Sequence, residues 1–176
     1  MAETAGDPRH TEGAPRMTGV ELLPFSPAHR AHFARLNRAW IEQYFWIEPI
    51  DAYVLDNPEE AILSKGGEIW FAAQGDEIVG CFALLKTSPT RYEFTKFAVD
   101  AKAQGLGAGK ALLAHAVTRA MALGAEDIII YSHTSLARAC DMYRRAGWVE
   151  QAMSEADKAR YKRSDIMLLK PLARAA

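Results

Sequence analysis

Gln104-Gly105-Leu106-Gly107-Ala108-Gly109-Lys110 joins an extended run that ends at Val99 to a run of helical apolar spacing that starts at Ala108. Glycine lets the backbone approach a ligand closely. The free N–H groups and positive dipole end of a helix start hold phosphate, so the segment reads as an anion-binding turn. A triphosphate-binding loop would need Gly-x-x-x-x-Gly-Lys-Ser/Thr, but Gln104 stands at the outer glycine position and Ala111 at the hydroxyl position. A dinucleotide-binding turn would need Gly-x-Gly-x-x-Gly. Counting from Gly105 puts Lys110 third, and the next strand ends in Ser132-His133 without an acid to hold a ribose. A loop that merely turns also uses glycine, so the flanks must decide.

Upstream, Arg91 to Val99 is extended, and Glu68 to Ala73 and Glu77 to Leu85 read as a hairpin turned at Gln74-Gly75-Asp76. Downstream, Leu112, Leu113, Ala116, Val117, Ala120 and Met121 form one stripe of a helix from Ala108 to about Leu123, with Gly124 as its stop. Ile128-Ile129-Ile130, inside Asp127 to Ser132, marks a strand covered on both faces. A helix from Ser135 to Ala146 ends at Gly147, and Trp148 to Gln151 and Asp165 to Lys170 read as the last strands. The charged segment Glu155 to Arg163 between them has no readable period.

At the other end, Val20 to Phe25 reads as an opening strand, with Ser26 as cap and Pro27 at the first helical position. Ala28 to Phe45 is a helix burying Ala31, Phe33, Leu36, Trp40, Ile41 and Tyr44. Trp46 to Asn57, interrupted by Pro49, reads as a loop or broken helix, and a short helix starts at Pro58 with Asn57 as cap. The order describes a mixed α/β sheet without internal repeats.

The chain of 176 residues is 49% hydrophobic, enough for one core of ordinary size. We expect residues 1–16 to be a disordered tail and 17–176 a single domain. Net charge is −1 with both signs scattered, which favours neither nucleic acid nor an anionic membrane surface. No apolar run approaches the roughly 20 residues of a membrane span. Cys81 and Cys140 lie in apolar surroundings without metal-ligand spacing, so they read as reduced core residues of a cytoplasmic protein, with no metal expected.

With the strand before and the helix after, Val99, Gln104, Gly107 and Gly109 resemble the acetyl-CoA signature of the GNAT (Gcn5-related N-acetyltransferase) family. In that signature an Ala-Val strand end is followed by Gln/Arg-x-x-Gly-x-Gly/Ala. Met142-Tyr143-Arg144-Arg145-Ala146-Gly147-Trp148 resembles the family's helix closing in Leu-Tyr-x-x-x-Gly-Phe, an independent second half in the right order. The resemblance implies a mostly antiparallel mixed sheet flanked by helices, in which a parallel central pair, 91–99 and 127–132, splays apart. It implies acetyl-CoA as co-substrate, its pantetheine against the main chain of Phe97, Ala98 and Val99. The pyrophosphate would lie on Gln104, Gly105, Leu106, Gly107, Ala108, Gly109 and Lys110. The partner would be an amine of unread identity, and the protein a monomer or homodimer. The pattern departs at His133, where many relatives carry Asn.

Acyl transfer to an amine requires a proton to leave the amine and a thiolate to depart, with no enzyme nucleophile. Cys140 shares a stripe with Leu136, Ala139 and Tyr143 and so reads as core. Glu93 lies where several relatives carry their basic carboxylate. It reads either as that base, its pKa raised by partial burial, or as a strand-edge partner of Arg91 or Lys96. Strand alternation would put it on the face of Thr95 and Phe97. Tyr143 is either the general acid for the thiolate, as the family places it, or a packed core tyrosine. Tyr44, Phe45, Trp46 and Glu48 fall where the family borders its acceptor, or else form a hydrophobic staple. His133 is a base, a substrate contact or a surface residue. His29, His32 and His115 read as surface. A catalytically silent CoA-binding sensor or partner module is the alternative to an enzyme.

Overall fold

The computed structural model describes residues 19–173, so the expected tail at 1–16 lies outside the described residues. The described residues form one seven-stranded sheet, β1 (Glu21–Pro24), β2 (Glu68–Gln74), β3 (Glu77–Ser88), β4 (Arg91–Val99), β5 (Asp127–Ser132), β6 (Val149–Gln151) and β7 (Ile166–Pro171). The spatial order is β1-β2-β3-β4-β5-β7-β6, and only β4 and β5 run parallel. The expected mixed sheet with a parallel central pair is what forms.

Residue alternation sorts the sheet into two faces. Phe82, Leu84, Tyr92, Phe94, Ile128 and Ile130 pack on one side with α4 (Ala108–Ala122) and α5 (Ala137–Arg145), through Leu112, Ala116, Ala120 and Tyr143, and with Trp148 beyond the end of α5. Ile69, Phe71, Cys81, Ala83 and Ala98 pack on the other with Phe33, Leu36 and Ile41 of α1 (Arg30–Tyr44) and with Leu55 of α2 (Pro49–Asp56). Along α4, Leu112, Leu113, Ala116 and Ala120 of the expected stripe are buried, Val117 is partly buried, and Met121 is 44% exposed. Gly80 lies close under this helix: a Cβ there would come within 2.9 Å of Leu112 Cδ1 and displace that fully buried side chain.

Pro49 does not break a helix but starts one. It takes the first-turn position whose N–H would be unpaired anyway, and Asp51 Oδ2 accepts from the Glu48 N–H at 3.0 Å. Ser26 heads a single 3₁₀ turn, Pro27–His29, before α1 and makes no side-chain cap bond. Asn57 likewise leaves the turn of α3 (Pro58–Ala61) uncapped by its side chain. The unreadable charged segment contains α6 (Glu155–Arg160), whose Ser154 Oγ accepts from the Asp157 N–H at 3.1 Å while Asp157 Oδ2 accepts from the Ser154 hydroxyl at 2.6 Å.

Two features of β4 position the site. Its pairing with β5 covers Arg91↔Asp127, Tyr92↔Ile128 and Glu93↔Ile129 and then stops, although both strands continue, so the sheet forks beyond Glu93. Opposite β3, Ala83 pairs with Thr95 but Cys81 with Ala98, a bulge that places Lys96 at φ 51. The bulge cancels the simple alternation. Phe97 turns to the α4 face, its ring 5.2 Å from that of Phe94, rather than sharing the Glu93 face as expected.

Candidate active site

Gly105 and Gly107 sit at φ 81 and φ 89, in the left-handed region, and a Cβ on either would meet nothing within 4 Å. The expected turn therefore opens to solvent. Gly107 is the N-cap of α4, no side chain among the described residues caps that end, and the first helical bond is Ala111 N–H to Gly107 O at 3.0 Å. The N–H groups of Ala108, Gly109 and Lys110 thus point outward from the positive end of a fifteen-residue helix, the arrangement that takes phosphate. Gly109 differs: its Cβ would lie 3.4 Å from Phe97 Cζ and 3.8 Å from Val99 Cγ2, ordinary contact, so the helix start rests on β4 at a distance a methyl group could also fill. Gln104 and Lys110 are exposed and Leu106 is 58% exposed along the same loop. Beyond the fork, the main chain of Phe97, Ala98 and Val99 has no β5 partner on that edge, although the Ala98 methyl itself is buried in the α1 core.

At the fork Glu93 is 5% exposed, on the face opposite Phe94. Neither Arg91 nor Lys96 pairs with it. Arg91 forks onto Asp127 at 2.6 and 2.7 Å, while Lys96 binds Asp51 at 2.9 Å. Its partner is Tyr161, whose hydroxyl donates to Glu93 Oε2 at 2.7 Å and whose ring stacks on Tyr131 at 4.0 Å. Burial pushes the Glu93 carboxyl above the usual range, against the Tyr161 hydrogen bond and the charges of Arg160 and Lys96. Burial and the Glu93 charge push the Tyr161 phenol up, so it remains a donor. Glu93 lines a polar cavity of about 470 Å³ with Arg91, Tyr131, Asp157, Arg160 and Tyr161.

A second cluster braces the neighbouring rim. Asp51 is 2% exposed and holds Lys96 Nζ at 2.9 Å and an Arg163 nitrogen at 2.8 Å. Burial opposes the Asp51 charge, but Lys96, the Glu48 N–H and Arg163 together hold its carboxyl below the ordinary range. Arg163 also donates to Trp46 O at 2.6 Å, approaches Glu48 at 3.7 Å and covers the Phe45 ring. Phe45 in turn meets the His133 ring edge-on at 6.0 Å. Glu48, Phe45 and His133 are thus gathered by one arginine, with Tyr44 and Trp46 exposed at the rim. His133 is bonded to Ser135 at 2.7 Å and lies 3.7 Å from Asp165.

On the opposite face Tyr143 packs against Phe94 and Trp148 and is nearly buried. Burial pushes its phenol up, so it holds its proton, and among the described residues no hydrogen bond occupies its hydroxyl. Both cysteines are free and buried, with the Cys81 thiol pushed up to about 12 by burial. His115 is not a surface residue: its ring sits 4.2 Å from Trp70 with Nε2 buried. Among the described residues no group of acids, histidines and cysteines is gathered to hold a metal, and no helix is long and apolar enough to cross a membrane.

Sequence reading missed Asp51, Arg160, Tyr161 and Arg163, and offered Lys96 as a partner of Glu93 where it pairs with Asp51. The Ser154-x-x-Asp157 spacing could have revealed α6, but nothing local marks Tyr161 as the partner of a residue on β4.

A sheet that forks beside a phosphate-ready helix start is the architecture of an acyltransferase domain. The chain belongs to the GNAT acetyltransferase family, whose model, described as Acetyltransferase (GNAT) family, matches residues 33–148. A Bacillus subtilis (strain 168) protein, the uncharacterized N-acetyltransferase YvbK, is 34% identical over 109 residues, covering 60% of this chain and 70% of its own. The fold is shared with a GNAT-family acetyltransferase from Staphylococcus aureus Mu50, at TM-score 0.78 and 18% identity over 88% of this chain and 100% of that one. It is shared too with a Bacillus subtilis acetyltransferase solved in complex with CoA, at TM-score 0.69 and 24% identity over 88% and 100% of the two chains.

Proposed function

We propose that the protein moves an acetyl group from acetyl-CoA to a primary amine of a small molecule or peptide by direct attack. The observation that carries this reading is the position of Glu93: the last β4 residue paired with β5 is a buried carboxylate lining a cavity. CoA would bring its pyrophosphate to the N–H groups of 108–110 and run its pantetheine along the free edge of β4 into the fork. The acceptor amine enters from the Glu93 face. Glu93 takes its proton, the nitrogen lone pair forms a bond to the thioester carbon, and the tetrahedral intermediate collapses with cleavage of the carbon–sulfur bond. The thiolate leaves toward the other face, where Tyr143 supplies a proton. A raised carboxyl suits proton removal near neutral pH, and a raised phenol still carries the proton it must give. Tyr44, Trp46, Glu48 and His133 form the acceptor rim.

Mass spectrometry of the protein with acetyl-CoA and a panel of amines tests the reading. Acetylated amine and free CoA are expected in equal amounts. CoA binding without any acetylated product would make the domain a binding module instead.

A further inference from the structure

Charges around the Glu93 cavity are almost all committed. Asp127 is held by both arms of the Arg91 fork, Asp157 accepts from Tyr131 at 2.8 Å and from Ser154, and Glu93 accepts from Tyr161. Arg160 differs. It is exposed, lines the same cavity, and has neither hydrogen bond nor ion pair among the described residues; its guanidinium lies over the Tyr161 ring, 5.2 Å from the centroid. That one phenol ring therefore carries the cation on its face and the Glu93 carboxylate at its hydroxyl. A stacked guanidinium keeps its donor edge free and pre-oriented, and the ligand that matches a planar fork is a carboxylate.

We propose that the acceptor is an amino acid: an amine that also carries a carboxylate, the carboxylate held by Arg160 while the amine faces Glu93. This rests on the acetyl-transfer reading and names the substrate class of that site. The two ends of such a ligand need only span one tyrosine ring, which suits an amine and a carboxylate a few bonds apart. Thr87, Ser88, Thr90, Glu126 and Ile129 line the rest of the cavity, which is polar enough to receive a zwitterion.

The test compares initial rates on paired acceptors, leucine against isoamylamine and phenylalanine against phenethylamine, with phosphoethanolamine as a third kind of anion-bearing amine. The expected kcat/KM favours each amino acid over its decarboxylated partner by about 10- to 100-fold, the range of a charged hydrogen-bonded contact. Arg160→Gln should collapse that ratio toward one, chiefly through KM, without lowering the melting temperature, and Arg160→Lys should restore part of it. A wild-type ratio at or below one, a ratio that survives Arg160→Gln, or phosphoethanolamine preferred to both amino acids would overturn the proposal while the transfer reaction stands. If no amine of any kind is acetylated, the transfer reading fails and this inference falls with it.

Discussion

The two faces of the sheet at the fork are built by different means. On the α4 side the surface proposed for CoA is backbone: two left-handed glycines, a helix start with no side-chain cap among the described residues, and the edge of β4 beyond its β5 pairing. On the α1 and α6 side the surface is side chains reaching across long sequence separations, Tyr161 to Glu93, Lys96 and Arg163 to Asp51. In the proposed reaction the backbone face would take the CoA donor and the side-chain face the amine acceptor. The comparison predicts that damage on one face leaves the other's task intact.

The largest effect is expected at Glu93. Glu93→Gln keeps the shape and a hydrogen-bonding group, and should cost roughly two to four orders of magnitude in turnover. The acidic limb of the kcat/KM profile, lying above the ordinary carboxylate range, should go with it. The sign for stability is opposite. A carboxyl whose folded pKa is raised opposes folding once ionised, so wild-type stability falls as pH rises from the ordinary carboxylate range through the raised value. At neutral pH the glutamine variant should melt no lower than wild type.

Next is Gly107→Asp. Aspartate tolerates the left-handed conformation at a cost of about 1 kcal/mol, and its charge suits a helix start, so melting should drop by only a few degrees. The same charge faces the phosphate, and CoA affinity should fall about 100-fold.

Asp51→Asn sharpens the acceptor side. It leaves Lys96 and Arg163, 17% and 19% exposed, without their shared carboxylate, and should cost about 3 kcal/mol, read as a fall of roughly 6–12 °C in Tm. Because the Asp51 carboxyl is held below its ordinary value, its stabilisation is present above that value and lost as pH falls through the depressed one. The gap between variant and wild type should therefore close in acid. The smallest effect is Tyr143→Phe, which removes a hydroxyl and keeps the packed ring. About a 10-fold loss of kcat, the worth of one hydrogen bond to the departing sulfur, with unchanged melting is expected, and full turnover would reduce Tyr143 to packing.

What was legible follows the same division. Arg91–Val99 and Asp127–Ser132 form strands at the expected boundaries because branched and aromatic runs bounded by turns are local signals. The turn at 104–110 was readable because glycine spacing marks the left-handed positions that lead into α4. The face of Phe97 was misread because the bulge at Lys96 arises from pairing with β3, which no alternation rule sees. Arg163 was invisible: a loop arginine acquires its role only when the fold brings Asp51, Glu48 and the Trp46 carbonyl around it.

Calorimetric titration of CoA into Glu93→Gln and Gly107→Asp, side by side with wild type, tests the division of labour most directly. The account predicts wild-type affinity in the glutamine variant, inactive as it is, and about a 100-fold loss in the aspartate variant while it remains folded. Equal affinities in all three, or a loss in Glu93→Gln that matches the loss in Gly107→Asp, would contradict it.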